Sequence, residues 1–381
     1  NTDEEYYAED EILEEDGKKK SITSGSEVEW MEEESYFFKL SGFEKKLLSF
    51  YEKNPEFVQP ESRKNEVVSF IKQGLKDLSV SRTTFNWGIS VPSHKKHIIY
   101  VWLDALVNYI SASNYFNKDQ NAPWPVDVHI IGKDILRFHA VYWPAFLMAA
   151  NLPLPKKIFS HGWILSGDEK MSKSKGNILD PLEIIDKYGL DPLRFYLLKE
   201  VSFGNDGNIS KEKLENCINS DLANNYGNLC QRVISFNEKN LNLEIPKNIK
   251  FNNEDLNILN KFKENHSKIE NAINKQDINF YMNFLMETLF AANKYFNDQE
   301  PWNKKNDTNR LNTIIYVSLE LIRKISILMY PIIPETSLKA LNIFNIKEKD
   351  INFNSLINNE FLKQGMKINK INILIKKIIN D

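Results

Sequence analysis

Three short apolar runs rich in β-branched residues, 98–102, 128–131 and 157–159, alternate with stretches of helical spacing over 103–111 and 134–150. Strands of this kind, separated by helices, are the pattern of a parallel α/β sheet, whose sites lie beyond the strand carboxyl ends. The polar residues that follow each run are therefore the first candidates for chemistry. From Lys211 onward the period changes. Leu214, Ile218, Leu222, Tyr226, Leu229, Val233 and Phe236 step by threes and fours, and similar stripes recur over 278–296 and 311–329 before Pro331 and Pro334. This half predicts a helical bundle.

The remaining features bound the chain without assigning it a task. At 381 residues, with 42% hydrophobic and 27% charged residues, it has the balance of an ordinary globular protein of several packed units. No stretch approaches the ~18 uninterrupted apolar residues of a membrane span. The first residues are acidic where a signal or transit peptide would be basic and apolar. Cys217 and Cys230 share one helical stretch, so a disulfide framework is not expected and a reducing, cytoplasmic setting is. A net charge of −3 supplies no global basic field, and any contact with nucleic acid must come from local patches. Residues 1–34 read as surface strands and turns. Helical spacing over 36–57 is interrupted at Ser41-Gly42, a second helix over 65–75 ends near Gly74, and 79–92 looks extended.

Residues 166–177 read SGDEKMSKSKGN. Gly167 and Gly176 bracket Lys170, Ser172, Lys173, Ser174 and Lys175, a hinged cationic loop suited to a polyanion such as a triphosphate. Composition alone favours a solvated loop instead. Order alters that balance: KMSKS followed by GN, preceded by HGW and followed by DPLEIIDKYGLDPLRFYLL, resembles the second signature of class I aminoacyl-tRNA synthetases. YVWLDALVNYIS at 100–111, HIIGKDILRFHAVYWPAFLMA at 129–149, NEVVSFIKQGLKDLSVSRTTFNWGISVP at 65–92 and VEWMEEESYFFKLS at 28–41 resemble the methionyl-tRNA synthetases in phrase and order. The likeness extends from about residue 3 to 335.

The resemblance implies an α/β fold: the second half of a Rossmann-type parallel sheet, carrying a remnant of the connective insertion and followed by an all-α anticodon-binding bundle. The expected divisions are 1–80, 81–165, 166–209 for the KMSKS loop and stem-contact region, and 210–381. It implies a methionine pocket walled by Trp102, Ala105, Tyr109, Phe138 and His139, with Asp134 toward the substrate ammonium or ribose. ATP would meet Gly132, Asp134, His161, Gly162, Lys170, Met171, Ser172, Lys173 and Ser174; Lys170 and Lys173 are the catalytic candidates, Lys173 on the pyrophosphate. Core packing is the competing reading for Trp102, Tyr109 and His139. On the bundle, Asp221, Asn225, Asn228 and Arg232 step by four, three and four along one face, ordinarily a solvated one. The resemblance makes Asn228, Arg232 and Trp302 readers of the anticodon.

The implied partners are methionine, ATP with Mg²⁺ as the substrate complex, and tRNA(Met), for a monomer without membrane contact. Zinc is not expected, because residues 1–98 contain no cysteine and no ligand spacing. The class I family also requires an HxGH signature, and none of His94, His97, His129, His139, His161 and His266 forms one. The expectation is a chain that begins inside the insertion and is inactive in methionine activation by itself. Two other readings remain: a non-catalytic tRNA-binding protein derived from such an enzyme, and a class I synthetase for leucine, isoleucine, valine or cysteine.

Overall fold

The computed structural model describes residues 11–379 apart from 16, 23–24, 30–31, 118–121, 168 and 172–178. The chain divides into two compact units, one of residues 1–129 and 134–158, the other of 130–133 and 159–381.

In the first unit, Ile12–Glu15 and Lys18–Ser21 form an antiparallel hairpin in which Glu15 faces Lys18, opposite charges on paired positions. The helix expected from residue 36 begins only at Glu44, after a 3-10 turn over Leu40–Phe43, because the Asp77 carboxylate takes both the N–H and the hydroxyl of Ser41 and holds that segment out of helix. The helices Glu44–Lys53 and Glu61–Lys72 bury Leu47, Tyr51, Val67 and Ile71.

The first apolar run departs from expectation. Ile98 and Ile99 end the strand His94–Ile99, which pairs antiparallel with both Ser81–Arg82 and Ser90–Val91, while Val101 and Trp102 already belong to the helix Val101–Ala112. An apolar run signals burial but carries no information about the direction of its partner strands. The helix expected over 134–150 also changes winding along its length. It opens as 3-10 at Lys133–Ile135, widens to π over Phe138–Tyr142 and closes as α over Trp143–Ala149. Leu106, Ile110, Trp124, Trp143, Phe146 and Leu147 form the core beneath it.

In the second unit, Ile164–Ser166 pairs in parallel with Gly207–Asn208 and antiparallel with Glu169–Lys170, so the architecture is mixed α/β, with parallel pairing, before it turns all-helical. From Lys211 the helices Lys211–Cys217, Asn228–Leu241, Asn253–Glu264, His266–Asn274, Ile278–Asp298, Thr308–Met329 and Pro334–Ile343 follow. Thr308–Met329 is the axis of this bundle, with every residue from Thr313 to Met329 buried. That burial encloses three ionisable groups. Arg323 donates to Glu320 at 2.7 Å and to the carbonyls of Ser355 and Asn358, both at 3.1 Å. Glu320 accepts the Leu362 N–H at 2.6 Å, and Lys324 donates to the carbonyl of Leu356 and, at 2.8 Å, to Asn359. The segment from Ser355 to Leu362 is thereby fastened to the axis by charge-assisted bonds shielded from water. Arg323→Ala, which leaves the Glu320 carboxylate buried without its cation, should lower the unfolding free energy in urea titrations by ~3–5 kcal/mol.

Candidate functional site

The helix Val101–Ala112 carries Trp102, Ala105 and Tyr109 at spacings of three and four, hence on one face. Trp102 stacks on Phe138 with ring centroids 3.9 Å apart and planes 13° from parallel. Tyr109 reaches His139, its hydroxyl 2.8 Å from Nε2. The other imidazole nitrogen, Nδ1, lies 3.0 Å from the carbonyl of Ile135. A carbonyl can only accept, so Nδ1 carries the proton and Nε2 accepts from the Tyr109 hydroxyl. His139 is 1% exposed, and burial lowers its pKa, which keeps the ring neutral as this bonding requires. The structure thus brings Trp102, Tyr109, Phe138 and His139 together as two joined aromatic pairs, a wall whose polarisable surface suits a thioether. Ala105 is exposed on the same helical face, and Asp134 is exposed in the 3-10 turn that precedes the π segment.

Sequence reasoning missed a fifth ring in this wall. His129 packs 4.3 Å from Tyr109 and 5.9 Å from His139, and its pKa is pushed down to about 4, by burial first and by His139 second. Its position at the start of a strand was visible; that the strand end would abut the pocket helix was not.

In the second unit, Gly132 ends the strand His129–Gly132, and Lys133 spans from there to Asp206 at 2.7 Å, with its ammonium 4.2 Å from the Trp163 ring. Gly162 is a glycine by necessity. A Cβ there would lie 2.2 Å from the Asn205 carbonyl carbon. His161 stacks on Phe203, and the Asp206 carboxylate accepts the Trp163 N–H at 2.9 Å. The loop 202–208, which the sequence did not single out, therefore shapes the ground around His161 and Gly162. Lys170 ends the hairpin opposite Leu165, and Met171 is partly buried against the helical core. Ser172, Lys173, Ser174 and Lys175 lie outside the described residues.

On the bundle the four polar residues span two windings. Residues Ile218–Gly227, which include Asp221 and Asn225, wind as π-helix, and Asn228 and Arg232 follow on α-helix. Asp221 pairs with Lys199 at 2.9 Å, and Asn225 accepts from Asn293 at 2.6 Å. Asn228 stays exposed at the start of the α-helix Asn228–Leu241. Arg232 donates to Asn297 at 2.7 Å and lies 5.2 Å from the Phe296 ring; Trp302, 40% exposed, packs edge-on against that ring at 6.1 Å. A guanidinium and an indole are thus presented around one buried phenyl ring.

Among the described residues no group of three or more histidines, cysteines or acids is placed to hold a metal ion, and no helix is long and apolar enough to cross a membrane.

Parallel α/β pairing that gives way to an all-helical bundle, with the sequence KMSKS between them, fits a class I aminoacyl-tRNA synthetase. The model of class I tRNA synthetases (M) matches residues 9–234, and that of the anticodon-binding domain of methionyl-tRNA ligase matches 245–381. The chain belongs to the methionyl-tRNA synthetase family. It is 48% identical over 348 residues to a methionine–tRNA ligase of Brucella suis, covering 90% of this chain and 67% of the relative. A methionine–tRNA ligase of Rickettsia felis is 45% identical over 388 residues, covering 100% of this chain and 74% of the relative. The structure of Mycobacterium tuberculosis methionyl-tRNA synthetase in complex with methionyl-adenylate superposes with a TM-score of 0.94 at 39% identity, over 98% of this chain and 75% of that one.

The buried imidazoles make the wall sensitive to acid. His129 takes up a proton near its ordinary value of 6.5 when unfolded but only at about 4 when folded. Between these values the unfolded chain binds a proton that the folded one refuses, so its contribution is complete above about pH 6.5 and is lost as the pH falls toward 4, by ~3 kcal/mol at most. Urea unfolding followed from pH 7 to 4 should show this loss, and His129→Phe should flatten it.

Proposed function

We propose that this chain takes part in methionine–tRNA ligation, holding the methionine side chain on the Trp102–Phe138 and Tyr109–His139 wall, the triphosphate on the KMSKS loop and the anticodon on the bundle. The observation that carries the reading is the Tyr109–His139–Ile135 hydrogen-bond chain, which presents a neutral aromatic surface with no fixed charge to a thioether. Core packing alone does not call for the exposed Ala105 on the same face.

The chemistry is substitution at phosphorus followed by acyl transfer. A methionine carboxylate oxygen attacks the α-phosphorus of ATP and pyrophosphate leaves with the electron pair of the broken P–O bond, Mg²⁺ travelling with the nucleotide. A hydroxyl of the 3′-terminal adenosine of tRNA then attacks the methionyl carbonyl carbon, AMP leaves, and the hydroxyl proton is released. Neither step asks for a nucleophilic side chain, so the protein's part is positioning and stabilisation of phosphate charge. Lys173 is the cation for the departing pyrophosphate, with Lys170 and Lys175 beside it; His161 and Gly162 face the adenosine, Gly162 because only a glycine fits against residues 205 and 206. Asp134 is the carboxylate for the substrate ammonium. Zinc has no part in this reading, and the working unit is a monomer in the cytoplasm.

Reading the anticodon falls to Asn228, Arg232 and Trp302. An unpaired base can stack on the exposed indole while the amide and guanidinium bond its edge. The alternative of a tRNA-binding protein without catalysis draws on one observation: no histidine of the chain forms HxGH. ATP–pyrophosphate exchange by the 381-residue chain should accordingly stay near background while tRNA binding persists, and robust exchange would show that the chain holds a complete triphosphate cradle.

Two substitutions test the assignment of residues. Tyr109→Ala should weaken methionine binding measured by calorimetry about tenfold, in keeping with ~1.5 kcal/mol for one hydrogen bond and its packing, and leave tRNA affinity unchanged. Trp302→Ala should weaken binding of tRNA bearing a CAU anticodon by ~1–3 kcal/mol in filter-retention assays, without effect on methionine. Unaltered tRNA affinity would make Trp302 a packing residue.

A further inference from the structure

The connection from the helix Ile278–Asp298 to the helix Thr308–Met329 carries Trp302, and its two ends meet. Arg310, in the first turn of the second helix, donates from Nη2 to the side-chain oxygen of Gln299, the residue that follows the first. We propose that Gln299 and Arg310, with Asp255 behind them, are positioning residues for anticodon reading: they close the loop 299–310 at its base and so fix where the Trp302 indole stands beside Arg232. The proposal rests on the reading of Trp302 given above and adds the residues on which that stack depends.

A buried carboxylate anchors the closure. Asp255 is fully enclosed, and each of its oxygens accepts two hydrogen bonds. Oδ1 takes the Tyr295 hydroxyl at 2.6 Å and Arg310 Nη2 at 3.0 Å; Oδ2 takes Arg310 Nη1 at 2.6 Å and the Asn252 N–H at 2.9 Å. One group thus joins the helix Asn253–Glu264, which bears it, to Ile278–Asp298 through Tyr295 and to Thr308–Met329 through Arg310. A guanidinium gripped on both terminal nitrogens by a carboxylate keeps one orientation, and here that orientation brings Nη2 to Gln299. Gln299 in turn donates its amide N–H to Glu254 at 2.6 Å, so both ends of its side chain are taken.

The backbone of the loop is strained where it meets this clamp. Glu300 has φ +44°, a left-handed conformation unfavourable for a residue with a Cβ and kept only where the surroundings impose it. Gln299 lies immediately before it and the buried Pro301 immediately after. The Glu300 N–H reaches the Asn297 carbonyl at 3.2 Å, and the Asn303 N–H reaches the Glu300 carbonyl at 2.8 Å. Past this bend Trp302 lies edge-on to Phe296, the ring that Arg232 also faces, and the Asn297 side chain accepts from Arg232. Packing of the core asks only that Asp255 and Arg310 neutralise each other. It asks neither for the bond to half-buried Gln299 nor for a strained residue two positions before an exposed indole. An indole held in one place has met its ordering cost before a base arrives.

The test is a double-mutant cycle on the 381-residue chain, with filter retention of tRNA bearing a CAU or an altered anticodon and circular dichroism to verify folding. Gln299→Ala should weaken CAU binding by about threefold or more and narrow the discrimination between anticodons by the same factor. In the Trp302→Ala background the same substitution should change affinity by less than about 1.5-fold, because nothing is left to position. Arg310→Lys, which keeps a cation against Asp255 but not the fork, should reproduce Gln299→Ala; if it does not fold, Gln299→Ala decides alone. A loss in Gln299→Ala that persists in full beside Trp302→Ala overturns the proposal, since Gln299 would then act on the bundle as a whole. Unchanged affinity in Gln299→Ala, where Trp302→Ala has lost it, overturns it too and leaves the reading of Trp302 standing. If the parent does not bind tRNA, or Trp302→Ala binds like the parent, that reading fails and takes this one with it.

Discussion

One proton, on Nδ1 of His139, organises the candidate methionine site. Donated to the Ile135 carbonyl, it leaves Nε2 as an acceptor for the Tyr109 hydroxyl and ties the helix Val101–Ala112 to the π-wound segment Phe138–Tyr142. A protonated ring would have two donors, turn the Tyr109 hydroxyl around and place a charge where burial penalises it. The stacked pair Trp102–Phe138 uses one residue from each of the same two segments, so its position depends on the same bond. A thioether needs no hydrogen-bond partner of its own, and a neutral wall offers charged side chains no counter-ion.

The two π-wound stretches coincide with the two places where recognition is assigned. Phe138–Tyr142 lies in the aromatic wall, and Ile218–Gly227 immediately precedes Asn228 and Arg232. A wider turn rotates the side chains that follow it relative to an unbroken α-helix, and proteins keep such turns mostly where a function needs that rotation. In the second case Asp221 and Asn225 pair with Lys199 and Asn293, Arg232 pairs with Asn297 beside Phe296, and Asn228 stays exposed. The helix Thr308–Met329, wholly enclosed from Thr313 on, supplies the rigid backing; its Glu320, Arg323 and Lys324 bind the segment from Ser355 to Leu362 instead of solvent, which is how a helix with charges can still serve as a core.

The amino-acid sequence by itself determined the change from short β-branched runs to threes-and-fours stripes at Lys211, the cationic loop between Gly167 and Gly176, and the face shared by Trp102, Ala105 and Tyr109, because periodicity and glycine spacing are local properties of the chain. Tertiary structure alone decided the rest. The run 98–102 became antiparallel strand and then helix because strand direction belongs to the partner, here Ser81–Arg82 and Ser90–Val91. His129 joined the pocket wall, and Asp206 and Phe203 came to surround Trp163 and His161, through contacts between residues tens of positions apart that no spacing rule encodes. The π winding of Ile218–Gly227 was equally invisible in the threes-and-fours spacing, because winding is set by the neighbours a helix must fit.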